Sequence, residues 1–122
     1  MYEIRVEHEF CAAHAIRIGG EPEPLHGHNW RIAVVIEGER LDEDGLLCDF
    51  HTIESHLRQI TEAWENRNLN ECEPFVSGTN PSAELVCRAI YDRLSPLIAN
   101  EIRIASVRVT EAPGCAATYR PR

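Results

Sequence analysis

Several of the usual compositional signs are missing from these 122 residues. No apolar run is long enough to span a bilayer, and the N-terminus enters a charged segment directly, without the layout of a signal peptide. Neither a basic run nor an interleaved aromatic stripe occurs, and 12 Lys and Arg stand against 20 Asp and Glu, for a net charge of −8. Such a chain repels phosphate backbones and anionic lipid surfaces, so nucleic acid and membrane partners are excluded. The five cysteines, Cys11, Cys48, Cys72, Cys87 and Cys115, are odd in number and contain no C-x-x-C pair. They read as reduced thiols, mostly small core residues, and the expected compartment is the cytoplasm. Repeats and low-complexity segments are absent too, and the length suits a single domain over 1–122.

What is present begins with histidine. His26 and His28 flank Gly27, and His14 lies twelve residues upstream of the pair. From Tyr2 the apolar side chains take even positions, Tyr2, Ile4, Val6, Phe10 and Ala12, while Glu3, Arg5, Glu7 and Glu9 take odd ones. That is the period of a half-buried strand, and it puts His14 on the apolar face. After the turn-rich stretch 19–24, a second run places Trp30, Ile32, Val34 and Ile36 on one face with His26 and His28. Two strands thereby turn three imidazoles toward one interior. Three histidines and a vacant position are the ligand set of a catalytic zinc site, since a structural site closes with four protein ligands. The competing reading is an accidental His-x-His on a strand. Cys11, on the opposite strand face, is not expected among the ligands.

The middle of the chain reads as helical. Asp49 caps a segment with Phe50, Ile53, Leu57, Ile60 and Trp64 at spacings of three and four. Asn80-Pro81 reads as the cap and first turn of a second helix, with Leu85, Val86, Ala89, Ile90 and Leu94 buried. Residues 102–111 and 115–119 read as two final strands around Ala112-Pro113-Gly114. The order strand-strand-helix-helix-strand-strand predicts an α+β domain, an antiparallel sheet with two helices. Helices on one face leave the other face and the edges open, so self-association is expected.

The blocks Phe10-x-Ala12-Ala13-His14, Leu25-His26-Gly27-His28-Asn29-Trp30, Asp49-Phe50, Leu69-Asn70, Asn80-Pro81-Ser82-Ala83-Glu84 and Thr110-Glu111 run through the chain in order. In this the chain resembles the 6-pyruvoyltetrahydropterin and 6-carboxytetrahydropterin synthases over nearly its whole length. The resemblance implies a tunnelling fold in which subunits pool their sheets into a barrel, usually a hexamer with active sites between subunits. It implies that His14, His26 and His28 hold Zn2+, and that the substrate is a pterin, 7,8-dihydroneopterin triphosphate. Glu111 matches the pterin anchor, with Glu84 and Thr110 as further substrate-binding positions in the same blocks. Without the motif, Glu111 would read as a solvated strand-end residue.

Two departures bear on the chemistry. Carboxy-type synthases have a basic cysteine four residues before the first histidine of HGH, and here that position is Pro22. Glu23 instead matches the E-x-x-H-G-H pattern of a branch that cleaves the side chain to 6-hydroxymethyl-7,8-dihydropterin; the alternative is an ordinary loop carboxylate. The family's Asp-His pair falls on Glu65 and Asn66, and an asparagine can hold a hydroxyl but cannot titrate. His51 and His56 on the first helix, and Cys115 in the last hairpin, are lesser candidates to compensate. Three activities stay open: a zinc lyase using Glu23, a 6-carboxytetrahydropterin synthase with an altered relay, and a pterin-binding protein without chemistry.

Overall fold

The computed structural model describes residues 1–122. The alternating N-terminal segment forms β1 (Tyr2–His14). A two-residue ladder follows, β2 (Arg17–Ile18) against β3 (Glu21–Pro22), closing over Gly19 and Gly20, whose φ angles are both positive. The turn-rich stretch therefore contains a small hairpin that alternation does not reveal, because two-residue strands carry no period. The chain then enters β4 (His26–Gly38), which pairs antiparallel with β1 from Tyr2 opposite Gly38 to His14 opposite His26.

Helix α1 (Phe50–Glu62) starts at Asp49, whose side chain accepts from the His51 N–H at 2.9 Å. Ile53, Leu57 and Ile60 are buried as the spacing predicts. Phe50 departs from that reading, being 54 % exposed at the first helical position, beside Tyr2 and Leu46 in a shallow apolar groove. Trp64 lies beyond the helix end yet is fully buried, its indole N–H donating to the Glu73 carbonyl at 2.9 Å. Next, β5 (Arg67–Asn68) runs parallel to β1 at Ala12 and Ala13. Asn66 enters it at φ +59, a left-handed conformation that asparagine tolerates better than most residues.

Helix α2 (Ala83–Leu94) is capped by Ser82, whose hydroxyl accepts from the Leu85 N–H at 3.2 Å, and not by Asn80. Asn80 and Pro81 serve elsewhere, as the site shows. Val86, Cys87, Ala89, Ile90 and Leu94 are buried, whereas Leu85 is 40 % exposed. It precedes Val86 by about 100° around the helix, which turns it off the contact stripe. The final hairpin pairs β6 (Ile102–Ala112) with β7 (Cys115–Tyr119) through Gly114 at φ +82.

The sheet order is β5-β1-β4-β6-β7, antiparallel except at the β5 edge, which makes an otherwise antiparallel sheet mixed. Both helices cover the even face of β1 and β4. There Phe10 stacks on Trp30 at 5.9 Å and meets Trp64 at 5.8 Å, in a core that includes Leu57, Ile90 and Val107. Burying each large apolar side chain contributes roughly 1.5–3 kcal/mol, so this face holds the sheet to the helices. The odd face carries Glu3, Arg5, Glu7, Glu9 and Arg31, with ion pairs such as Arg31–Glu9 at 3.9 Å and Arg103–Glu37. No helix is long and apolar enough to cross a membrane.

Candidate metal centre

The β1–β4 register sets His14 directly across from His26, and His28 two residues further along the same face. Ring centroids lie 4.6–5.1 Å apart, and one ligand atom from each histidine falls within 4.8 Å of the others. His14 is fully buried; His26 and His28 are half-buried. His14 Nδ1 lies 2.8 Å from the Pro81 carbonyl, and His26 Nδ1 lies 2.9 Å from the Pro24 carbonyl. A ring nitrogen facing a carbonyl must carry the proton, so both rings keep a bare Nε2 lone pair. The Nε2 atoms of His14 and His28 are buried without a hydrogen-bond partner. Leaving such an atom unpaired costs on the order of 1–3 kcal/mol.

A metal ion would satisfy these orphaned nitrogens. The donors are three imidazole nitrogens, one short of the four that close a structural site, and this set suits a zinc ion. Burial holds the His28 imidazole below its ordinary pKa, and its histidine neighbours push the same way against the pull of Glu111 and Glu23. The neutral, ligating form is thereby favoured. Trp30 walls the site, its ring 4.8 Å from His14 and its indole N–H fixed on the Ala12 carbonyl at 3.0 Å.

Two carboxylates stand at the triad. Glu23 Oε1 lies 3.6 Å from His26 Nε2, and Glu111 Oε1 lies 3.5 Å from His14 Nε2. Thr110 and Glu111 line a cleft of about 500 Å³ together with Gly27, His28, Asn29 and Arg31. A second cleft, of about 640 Å³, runs from His28 to Cys11, Leu25, Asn66 and Arg67. His28 borders both.

The other sequence candidates are distributed unevenly. Glu65 is tied to β1, its carboxylate accepting the Cys11 N–H at 2.6 Å, while the Asn66 N–H donates to the Cys11 carbonyl at 2.7 Å. Asn66 borders the second cleft. Glu84 is exposed in the first turn of α2 and borders neither cleft of the single chain. The Cys11 thiol donates to Asn29 Oδ1 at 2.8 Å on the face away from the triad, as alternation requires. His51 is exposed and paired with Glu54 at 3.0 Å, His56 is half-buried on α1, and Cys115 is exposed.

The groups that orient the imidazoles, the Pro24 and Pro81 carbonyls, are main-chain atoms that no side-chain motif marks. Their signal in the sequence is proline itself, which lacks an N–H and so interrupts a ladder while leaving its carbonyl free to accept.

A family model described as 6-pyruvoyl tetrahydropterin synthase matches residues 3–122. The chain is 27% identical over 130 residues to the 6-carboxy-5,6,7,8-tetrahydropterin synthase of Bacillus subtilis, covering 99% of this chain and 86% of that one. It is 29% identical over 102 residues to the dihydroneopterin monophosphate aldolase of Pyrococcus furiosus, covering 84% and 82%. Among solved structures, the 6-pyruvoyl tetrahydropterin synthase of Caenorhabditis elegans superposes with a TM-score of 0.85 at 21% identity, over 99% of this chain and 96% of that one. A Plasmodium vivax 6-pyruvoyltetrahydropterin synthase with an altered glutamate, described as a catalytic residue, superposes at 0.78 with 20% identity, over 98% and 97%. At such identities the structures establish likeness of fold.

Proposed function

The chain belongs to the 6-pyruvoyl tetrahydropterin synthase family, and from that premise we propose that it is a zinc-dependent carbon-carbon lyase. Its substrate is 7,8-dihydroneopterin triphosphate and its pterin product is 6-hydroxymethyl-7,8-dihydropterin. The observation that carries this reading is the Glu23 carboxylate at 3.6 Å from His26 Nε2, with proline at the neighbouring position 22. A proline cannot move a proton; a carboxylate can. The 122 residues also contain no lysine, so cleavage through a lysine Schiff base is closed to this chain. A catalytic glutamate in the Plasmodium vivax enzyme is compatible with a carboxylate base here.

His14, His26 and His28 would hold zinc, which when bound polarises a side-chain hydroxyl and lowers its pKa. Glu23 takes the proton from that hydroxyl. The oxygen closes to a carbonyl, the bond to the carbon beside the ring breaks, and its electron pair passes into the pterin. That carbon is then reprotonated, so the reaction consumes no net proton and no oxidant. Glu111 anchors the head by accepting two parallel hydrogen bonds from the pterin amino group and ring N–H. Thr110 lies beside it in the same cleft, and Asn66 supplies a hydrogen-bonding amide from the other. Copies of the chain cover the open sheet face and complete the sites between subunits, where Glu65 and Glu84 would act.

A second reading, 6-carboxytetrahydropterin synthase, is favoured by the Bacillus subtilis relative, whose match spans 99% of this chain. Zinc-loaded protein is incubated with dihydroneopterin triphosphate and, because of the Pyrococcus furiosus relative, with the monophosphate; every pterin is then identified. 6-Hydroxymethyl-7,8-dihydropterin, formed roughly 10²–10⁴-fold more slowly in Glu23→Ala with zinc retained, supports the lyase. Acetaldehyde and 6-carboxytetrahydropterin support the second reading. Pterin binding that depends on Glu111, with no conversion, leaves a binding protein.

A further inference from the structure

His14 and Glu23 are joined by a short segment whose own backbone is gripped from outside. The Asn70 side chain accepts the Ala15 N–H at 2.9 Å and donates to the Ala15 carbonyl at 2.8 Å. The Asn80 side chain does the same for Arg17, accepting at 2.9 Å and donating at 3.1 Å. Each amide thus mimics a strand neighbour, satisfying both polar groups of one peptide residue. Ile16 is trapped between the two grips. Its carbonyl accepts the Glu23 N–H at 3.0 Å and its N–H donates to Glu23 Oε1 at 3.4 Å.

We propose that Asn70 and Asn80 are positioning residues for the Glu23 carboxylate: they fix the residues on either side of Ile16, and Ile16 fixes Glu23 at the triad. The inference rests on the reading of Glu23 as the base. Ile16 holds Glu23 at two points, its backbone N–H at 3.0 Å and its carboxylate at 3.4 Å, so freedom in the Ile16 peptide passes to the group that must meet the substrate hydroxyl. Asn70 is itself held, its N–H donating to Asn68 Oδ1 at 3.0 Å, and the residue after Asn80 carries the carbonyl that orients His14. A carboxylate displaced by about 1 Å from its proton loses much of the advantage of orientation.

The test uses Asn70→Leu and Asn80→Leu, which keep bulk and remove both hydrogen-bonding groups, and Asn70→Asp and Asn80→Asp, which keep the acceptor should the first pair fail to fold. Each is made alone and with Glu23→Ala, and zinc content, kcat and KM are measured. Expected is a kcat lower by roughly tenfold, a KM within about twofold and zinc content at the wild-type level. In the Glu23→Ala background the asparagine changes should then move kcat by less than about twofold, since residues that act through one another are not additive. Zinc lost together with turnover overturns the proposal in favour of a structural role through His14. Wild-type kcat in the asparagine variants, or additive losses in the double variants, also overturns it while leaving the base assignment intact. Wild-type kcat in Glu23→Ala alone overturns the base assignment instead, and no asparagine variant is needed to see it.

Discussion

His8 and His14 occupy the same face of the same strand, six residues apart, and differ in what their ring nitrogens meet. His8 Nε2 lies 3.0 Å from the Thr61 hydroxyl, which donates to the Leu57 carbonyl at 2.9 Å and so accepts from the imidazole. His14 is held by its other nitrogen, on Pro81, and its Nε2 has no hydrogen-bond partner, facing two more imidazoles with the Glu111 carboxylate 3.5 Å away. His8 fastens the sheet to α1. Strand parity assigns both to the interior; what separates them is that His14 has two further imidazoles converging on its free nitrogen, whereas the far nitrogen of His8 is spent on a hydroxyl.

The largest effect expected is that of His14→Ala. It should reduce zinc affinity by more than about a hundredfold, beyond the 10–100-fold typical of losing an outer partner, and abolish turnover. His8→Ala should bind zinc fully, as measured by metal stoichiometry, and cost about 1 kcal/mol in urea unfolding through one lost hydrogen bond. If His8→Ala sheds zinc, the distinction between the two histidines fails.

Glu23→Gln should lower turnover by about 10²–10⁴-fold, the range of general base catalysis, without changing zinc content. That outcome separates the groups that hold the metal from the group that works beside it. Chelation should come next in size. Ligand linkage predicts about 2.7 kcal/mol of stabilisation at a hundredfold excess over Kd, seen as a lower urea midpoint when zinc is removed. The shift should appear in wild type and in His8→Ala and vanish in His14→Ala.

The smallest effect concerns pH. Burial depresses the His8 pKa below its ordinary value of 6.5, with the Arg58 charge adding to it and Glu65 and Glu54 opposing. The unfolded chain therefore binds this proton more readily than the folded one, so the His8 contribution is intact above pH 6.5 and declines as pH falls through the depressed value. The stability gap between wild type and His8→Ala should narrow from about pH 7.5 to about pH 5, measured on chelated protein so that zinc does not mask it.

Much of this was legible from local pattern. Period-two alternation exposed both long strands and the parity of all three histidines of the triad, because burial of one sheet face acts on every second residue. It also placed Cys11 on the strand face away from the three histidines. Helical stripes located α1 and α2, yet Phe50 and Leu85 lie outside the buried contact, since the width of a stripe depends on what packs against it. Ser82, and not Asn80, caps α2 because the Asn80 amide is engaged 63 residues away, with Arg17. The β5 edge and the β2–β3 hairpin are too short to leave a period.

The order of residues thus settles the family, the histidine set and the face it occupies, because each follows from side-chain type and a repeat of two or 3.6 residues along one segment. Folding settles which ring nitrogen of His14 and His26 is bare, where Glu23 and Glu111 stand around the imidazoles, and which amides hold the peptide between His14 and Glu23. Those outcomes join residues far apart in the chain, through carbonyls and side-chain amides whose partners are chosen only when sheet, loops and helices come together.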